Sequence, residues 1–386
     1  MKILVLGAGR MGLGAAYDLA HNARDVQSVT VADIDLGRAR AVVETVKSER
    51  LTPAQVDVSN HEEVVRLMRG HDAAISCVVY HHNLSLARAA IAAQTNFCDL
   101  GGNNAVVASE LALDAEARAA GINIIPDCGL APGMVAVLAA HGAARFARLD
   151  ELHIRVGGLP LNPRPPLDYQ IVFSVEGLIN EYVERARVVR EGRIIEVESL
   201  TEVEELSFAA PYERMEAFQT SGGTSTLPET FAGQVRELDY KTIRFPGHCE
   251  KFKLLIELGL ASSDAVIIDG VRVVPRRLLA EMLLRRLPAD EPDVVLIRLE
   301  FRGTNPEGDA QSLRYDIIDR FDERTGLSAM MRTTAFPASI VAQMMARGET
   351  TDKGALPQER CIPPDPFVAA LRARDIDISE SLKSGV

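Results

Sequence analysis

The chain opens on an unbroken apolar run, residues 2–6, followed at once by Gly7-Ala8-Gly9-Arg10-Met11-Gly12 and an amphipathic stretch over 10–21. A strand apolar on both sides, a glycine turn and a helix, in that order, begin a parallel sheet buried on both faces. The pattern repeats. A second strand at 28–32 ends at Asp33, an amphipathic segment covers 36–47, a third strand ends at Val58, and Ser59-Asn60-His61-Glu62 reads as a capping box opening a helix. Strands at 72–79, 96–100 and 122–125 alternate with helices at 83–94 and 105–120. The fold class expected is α/β, a Rossmann-type doubly wound parallel sheet spanning residues 1–133.

Beyond residue 134 the period changes. One helix runs to about residue 146; strand-like runs at 152–156, 169–174, 187–189, 193–197 and 294–301 then predict a second, mixed α+β domain over 134–335. The Pro-rich piece at 159–167 and the small-residue piece at 220–226 are rich in turn formers and read as loops.

Composition narrows the function classes. The 386 residues are 47 % hydrophobic and 25 % charged, as in an ordinary folded globule. A net charge of −12 without basic runs makes nucleic acid and anionic membranes poor partners. Five scattered cysteines, with no CxxC pair, argue against a disulfide framework or structural zinc, and the adjacent His81-His82 lacks any metal-ligating spacing; no metal is expected. The N-terminal apolar run is too short for a secretory signal and no stretch is long enough to cross a bilayer, so a cytoplasmic protein is expected.

The glycine turn carries the first chemistry. Gly7 permits the tight turn, Gly9 lets backbone approach a pyrophosphate, Gly12 lets the helix pack on the strand, and Arg10 and Met11 open the helix whose N-terminus faces the phosphates. Asp33 sits where an acid accepts hydrogen bonds from a ribose 2′-OH and repels a 2′-phosphate, which favours NAD over NADP; the alternative is that Asp33 caps the next helix, a job Asp35 could also do. Asp57 and Val58 at the end of the third strand, and Cys77 and Val78 at the end of the fourth, complete the expected cofactor-facing positions. Cys77, Cys98 and Cys128 read as packing groups rather than nucleophiles. The densest reactive cluster, 239–252, is either a ligand-facing junction or a solvated amphipathic turn.

The fingerprint together with CDLGGN at 98–103, DCGLAPGM at 127–134, DYQIVFSVEGLINEYV at 168–183, TSGGTSTLPETF at 220–231 and LDYKTIRFPGHCEKF at 238–252 resembles the saccharopine dehydrogenase-like family, closest to its branch that oxidises lysine at the ε-amine. That resemblance implies NAD-dependent oxidation of the ε-amine carbon of L-lysine, releasing ammonia and an aldehyde that cyclises to 1-piperideine-6-carboxylate. It also implies a homodimer or higher homo-oligomer, and a C-terminal segment, 336–386, that packs back on the nucleotide-binding domain, with a docking helix at 338–346 and Ile362-Pro363-Pro364 as connector. By the same resemblance Asp99 and Arg244 contact the substrate.

The chemistry adds roles to the cluster. An ε-ammonium must lose its proton before hydride can leave, and a nearby cation helps that loss, a charge Lys241, Lys251 or His248 could supply. Asp99 is placed to stabilise the developing iminium, Arg244 to hold the α-carboxylate, and Glu250 or Asp127 the α-ammonium, with Tyr169 and Thr224 lining the cleft. Two other readings stand: a reductase of saccharopine- or carboxynorspermidine-forming type using NADPH, and a non-catalytic dinucleotide sensor.

Overall fold

Ile3 through Leu6 are wholly buried, and this strand lies inside a seven-stranded sheet as its two-sided apolar pattern requires. The computed structural model describes residues 1–289 and 291–385. The chain forms β1 (Lys2–Leu6), α1 (Arg10–His21), β2 (Ser28–Asp33), α2 (Leu36–Val46), β3 (Leu51–Gln55), α3 (His61–Met68), β4 (Ala73–Ser76), α4 (Asn83–Ala93), β5 (Asn96–Asp99), α5 (Asn104–Leu111), α6 (Asp114–Ala120), β6 (Asn123–Ile125) and α7 (Met134–Ala143). It continues through β7 (Arg148–Pro160), α8 (Val175–Val183), β8 (Ala186–Arg190), β9 (Arg193–Val197), β10 (Glu204–Leu206), β11 (Met215–Gln219), α9 (Leu227–Phe231), β12 (Glu237–Arg244) and α10 (His248–Glu257). There follow β13 (Val266–Ile268), β14 (Val271–Val273), α11 (Pro275–Arg286), β15 (Asp293–Thr304), β16 (Ala310–Arg320), α12 (Ala329–Arg347), β17 (Gly354–Ala355), α13 (Gln358–Cys361), α14 (Pro364–Arg372) and β18 (Ser379–Ser384).

Two units result. The first comprises Met1–Arg145, Ser225–Thr230 and Met331–Asp377, the second Phe146–Thr224, Phe231–Met330 and Ile378–Val386. In the first, all strands run parallel in the order β17-β6-β5-β4-β1-β2-β3, so the order reverses between β1 and β4, where such sheets bind ligands. The second has a mixed sheet, β10-β11-β12-β7-β15-β16-β18, with β8 and β9 beside β12; only β12 and β7 run parallel. The hairpin β13–β14 stands apart from both sheets.

Several expectations change. The capping box is not made: Asn60 caps α3 through Glu63 N at 3.3 Å, while Ser59 turns back to Asp57. The helix expected over 105–120 breaks into α5 and α6, and the break lets Asp114 accept from Ala355 N at 3.0 Å, fastening the edge strand β17. The run 169–174 is no strand; Ile171 N reaches Pro288 O at 2.9 Å, outside the sheet. Helix α7, placed in the second domain by its period, belongs to the first unit, and the C-terminal segment divides: Met331–Asp377 joins the first unit, but β18 pairs antiparallel with β16 in the second. Val386, the end of the segment expected to dock, lies outside the described residues.

Candidate active site

Gly7 adopts φ +99° and donates to Ala32 O at 2.7 Å, a turn with no room for a side chain, since a Cβ there would stand 2.8 Å from Cys77 O. A Cβ on Gly12 would lie 1.8 Å from Gly7 O, so α1 packs on the turn only with glycine at that position. Nothing lies within 4 Å of a Cβ placed on Gly9. Helix α1 starts there without a side-chain cap and with no acid in its first turn, so its positive end is available to an anion. Asp33 fixes the rim: Oδ2 accepts from Ala8 N at 2.8 Å and Oδ1 from Asp35 N at 2.9 Å, which leaves each oxygen a second lone pair for a ribose hydroxyl. The helix cap falls to Asp35, through Gly37 N at 2.8 Å. These residues fit a dinucleotide.

The other expected cofactor positions are more constrained. Cys77 and Val78 close around Gly7 at the β1/β4 switch point, and burial pushes the Cys77 thiol far up, so it packs. Half-buried Asp57 spends Oδ1 on Ser59 N and Oγ, while Val58 packs against the core beside β1 and β4.

Three buried carboxyl groups gather in the same unit. Asp99, the last residue of β5, accepts from Gly101 N at 2.6 Å and Asp127 N at 3.2 Å, and its carboxyl also shares a hydrogen bond with that of Glu110. Burial lifts it to about 6 against those two N–H bonds and the bond with Glu110. Asp127 is lifted to about 7 by burial and by the Asp99 charge; Ser225 Oγ donates to its Oδ2, and Gln358 Nε2 to its backbone carbonyl. Glu110 on α5 is fully buried, and burial together with Asp99 raises it furthest. Three carboxyls so close cannot all be ionised near neutral pH. Glu110 was hidden in the sequence because a glutamate in a helix ordinarily faces water.

In the second unit β12 sorts the reactive cluster by strand alternation. Tyr240, Thr242 and Arg244 point to one face, Asp239 and Lys241 to the other, beside their register partners His153 and Arg155. Lys241 Nζ pairs with Glu204 at 3.2 Å, far from any role beside Arg244. Asp239 would be raised by burial, but the hydrogen bond from His153 and the Arg155 charge hold it well below the usual carboxylate range.

Arg244 is 3 % exposed. Its guanidinium lies over the Tyr169 ring at 4.8 Å, Nε donates to Tyr182 Oη at 2.9 Å and Nη1 to Ile243 O at 2.9 Å. His248 stands behind it. Its Nδ1 faces the carbonyl of Leu167 at 2.9 Å, an acceptor only, so Nδ1 carries the proton and Nε2 accepts from Tyr182 Oη at 3.1 Å. Burial and the Arg244 charge push His248 down to about 3. The imidazole is therefore neutral and orients Tyr182, and through it Arg244, instead of trading protons. Glu250 is exposed on α10, and Thr224 Oγ1 donates to Arg187 O at 3.3 Å, so neither faces the guanidinium. Glu181, beside Tyr182 on α8, lies within the 168–183 motif, which by itself assigned it no role; burial lifts it to about 7 although the Arg244 charge acts to lower it.

A parallel nucleotide-binding sheet with an acid-rimmed glycine turn, joined to a mixed-sheet unit with a buried arginine, defines a dehydrogenase that uses a nicotinamide dinucleotide. The chain belongs to the saccharopine dehydrogenase family: residues 3–125 match the saccharopine dehydrogenase NADP binding domain and residues 129–376 the saccharopine dehydrogenase C-terminal domain. It is 23 % identical to carboxynorspermidine synthase of Vibrio cholerae over 96 % of this chain and 94 % of that one. It is 22 % identical to saccharopine dehydrogenase [NADP(+), L-glutamate-forming] of Schizosaccharomyces pombe over 68 % of this chain and 59 % of that one. The fold matches apo saccharopine dehydrogenase (L-Glu forming) from Saccharomyces cerevisiae with TM-score 0.80 and 19 % identity over 99 % of both chains. It matches homospermidine synthase from Legionella pneumophila, in complex with NAD, with TM-score 0.69 and 12 % identity over 99 % of this chain and 91 % of that one. Among the described residues no helix is long and apolar enough to cross a membrane, and no group of three His, Cys, Asp or Glu could hold a metal.

Proposed function

We propose that the protein is a lysine 6-dehydrogenase: NAD-dependent, removing the ε-amine of L-lysine as ammonia and leaving the aldehyde that closes to 1-piperideine-6-carboxylate. The observation that carries the choice of NAD is Asp33, whose carboxylate is pinned at the glycine turn and is followed by Ile34 and Asp35 rather than by an arginine. A 2′-phosphate there would meet a fixed negative charge.

The chain's own residues then have defined tasks. The ε-ammonium, pKa about 10.4 in water, must be deprotonated before the C6 hydrogen leaves as hydride. Asp99, kept ionised, is the group in the first unit suited to face the iminium as its positive charge develops, the ammonium proton passing to solvent beforehand. Bound nicotinamide supplies the hydride acceptor. Water adds to the iminium carbon and ammonia departs. Arg244 in the second unit serves the α-carboxylate.

The second reading, joining an amine to an aldehyde with NADPH, draws support from the names of the two curated relatives. One experiment separates them: amino acids and diamines are offered with NAD or NADP and reduced nicotinamide is followed by absorbance, with [ε-¹⁵N]lysine as substrate. Labelled ammonia formed with NAD supports the proposal. No reduction with lysine, or unlabelled ammonia, refutes it.

We also propose a cytoplasmic homodimer. In its support, the β13–β14 hairpin exposes Val266, Ile267, Ile268 and Val271, and a lone two-stranded hairpin is marginal in water without a cover. Light scattering of the wild type and of Ile267→Asp tests the dimer; a monomeric wild type rejects it.

A further inference from the structure

Asp99 Oδ1 spends both of its lone pairs on backbone, accepting from Gly101 N at 2.6 Å and Asp127 N at 3.2 Å. Its other oxygen has no such donor. Asp99 Oδ2 and both carboxyl oxygens of Glu110 are buried where no amide, hydroxyl or cationic donor of the described residues reaches them, yet the two carboxyls meet in a hydrogen bond. Two carboxylates have only acceptors to offer each other, so that bond requires a proton on one of them. The surroundings decide which. Asp99 has two N–H groups aimed at its anion. Glu110 is wholly buried near the C-terminal end of α5, where the helix carries its partial negative charge, and the charges acting on it, Asp99 and Asp127, are negative too. The proton therefore belongs to Glu110.

We propose that Glu110 is a positioning residue: as the neutral acid it donates a hydrogen bond to Asp99 Oδ2, which holds Asp99 ionised and fixes its carboxylate at the oxygen the backbone amides leave untouched. The lone-pair count then leaves one acceptor direction open, on Oδ2. A charge-assisted O–H···O⁻ bond is among the strong ones, and it offsets part of the cost of keeping an anion in a buried setting. Burial and the Asp99 charge raise Glu110 to about 10, so it keeps its proton at neutral and mildly alkaline pH. It trades no proton with the substrate and acts on the reaction through Asp99. The inference deepens the proposed function and rests on its reading of Asp99 as the carboxylate that faces the developing iminium.

Infrared difference spectroscopy of the full chain locates the proton. At about pH 9, Asp127 and Glu181, each raised to about 7, are ionised, and a protonated carboxyl C=O band should remain. Glu110→Gln should abolish it, and Asp99→Asn should move it to higher frequency or remove it, since the charged acceptor is gone. Absence of the band in the wild type, its survival in Glu110→Gln or an unmoved band in Asp99→Asn overturns the inference. Kinetics read the positioning. Glu110→Met loses the donor and should lower kcat for lysine at least tenfold with KM within about twofold, because the iminium charge develops only in the transition state. Glu110→Gln, whose amide can still donate to Oδ2, should restore kcat to within about threefold. Unchanged kcat in Glu110→Met, or a Gln variant as slow as the Met variant, overturns it as well. Should lysine yield no reduced nicotinamide while the band behaves as expected, the shared proton stands and lysine oxidation falls; should lysine be oxidised while the band is absent, the reverse is true.

Discussion

Arg374 grips Asp18 through two parallel hydrogen bonds, Nε to Oδ1 at 2.6 Å and Nη2 to Oδ2 at 3.0 Å, with both side chains buried in the first unit. Asn22 and Ser339 donate to the same carboxylate. Asp18 belongs to α1, the helix that opens at the glycine turn, and Arg374 lies just past α14, so the C-terminal segment holds that helix in place.

Removing one partner of that pair leaves a buried charge uncompensated. Asp18→Asn should lower unfolding free energy by about 3–5 kcal/mol, and the double change Asp18→Leu with Arg374→Met should recover much of it. Urea denaturation gives both numbers; a loss under about 1 kcal/mol for Asp18→Asn would mean the pair is better hydrated than its burial indicates.

His248 makes the fold acid-sensitive. Its folded pKa, about 3, is below the unfolded value near 6.5, so between the two the unfolded chain binds a proton the fold does not. The stabilisation is complete above about pH 6.5 and declines as the pH falls toward 3. His248→Gln, neutral throughout, should flatten that side of the Tm–pH curve. Parallel curves for the two proteins would place the acid sensitivity elsewhere.

Glu110 should act in the opposite direction. Raised by burial and by Asp99, it is protonated in the fold, and the stability it contributes is full below about pH 4.3 and lost as the pH rises toward its folded value. Glu110→Gln mimics the protonated acid and should be at least as stable as the wild type at pH 8. A variant that is several kcal/mol weaker at every pH would show that the ionised form is required.

For the cofactor, Asp33→Ala should weaken NAD by roughly 1.5–3 kcal/mol and narrow the gap to NADP. Fluorescence titration with both reduced cofactors measures it. Equal affinity of the wild type for the two would remove Asp33 as the discriminating group.

The nucleotide-binding sheet was legible because its strands are short apolar runs separated by glycine, proline and capping residues, and α1 and β9 appear with the bounds the pattern predicts. What local pattern could not show was partnership across long sequence distances. Nothing around Asp114 announces that it will receive Ala355 N, nor around Asp18 that it awaits Arg374. Cluster density along the chain also misled at β12, where alternate side chains leave on opposite faces and part Lys241 from Arg244. Glu181 and Glu110 lay unnoticed because a helical glutamate becomes chemically unusual only once its surroundings dehydrate it.

The first unit is stitched from three stretches of chain, and this has a consequence during synthesis. Helix α7 is almost wholly apolar, and its partners α13 and α14 lie beyond residue 357. At a translation rate of about 5–20 residues per second, the ribosome needs roughly 10–40 s to proceed from Arg145 to Met331. Throughout that interval the nascent nucleotide-binding half has its glycine turn and six of its strands but lacks the covering for α7 and the arginine for Asp18. Folding from the N-terminus inward cannot finish, and an mRNA truncated between the codons for Ala144 and Gln358 would yield a chain that carries the whole dinucleotide fingerprint yet leaves a sticky helix for chaperones to hold.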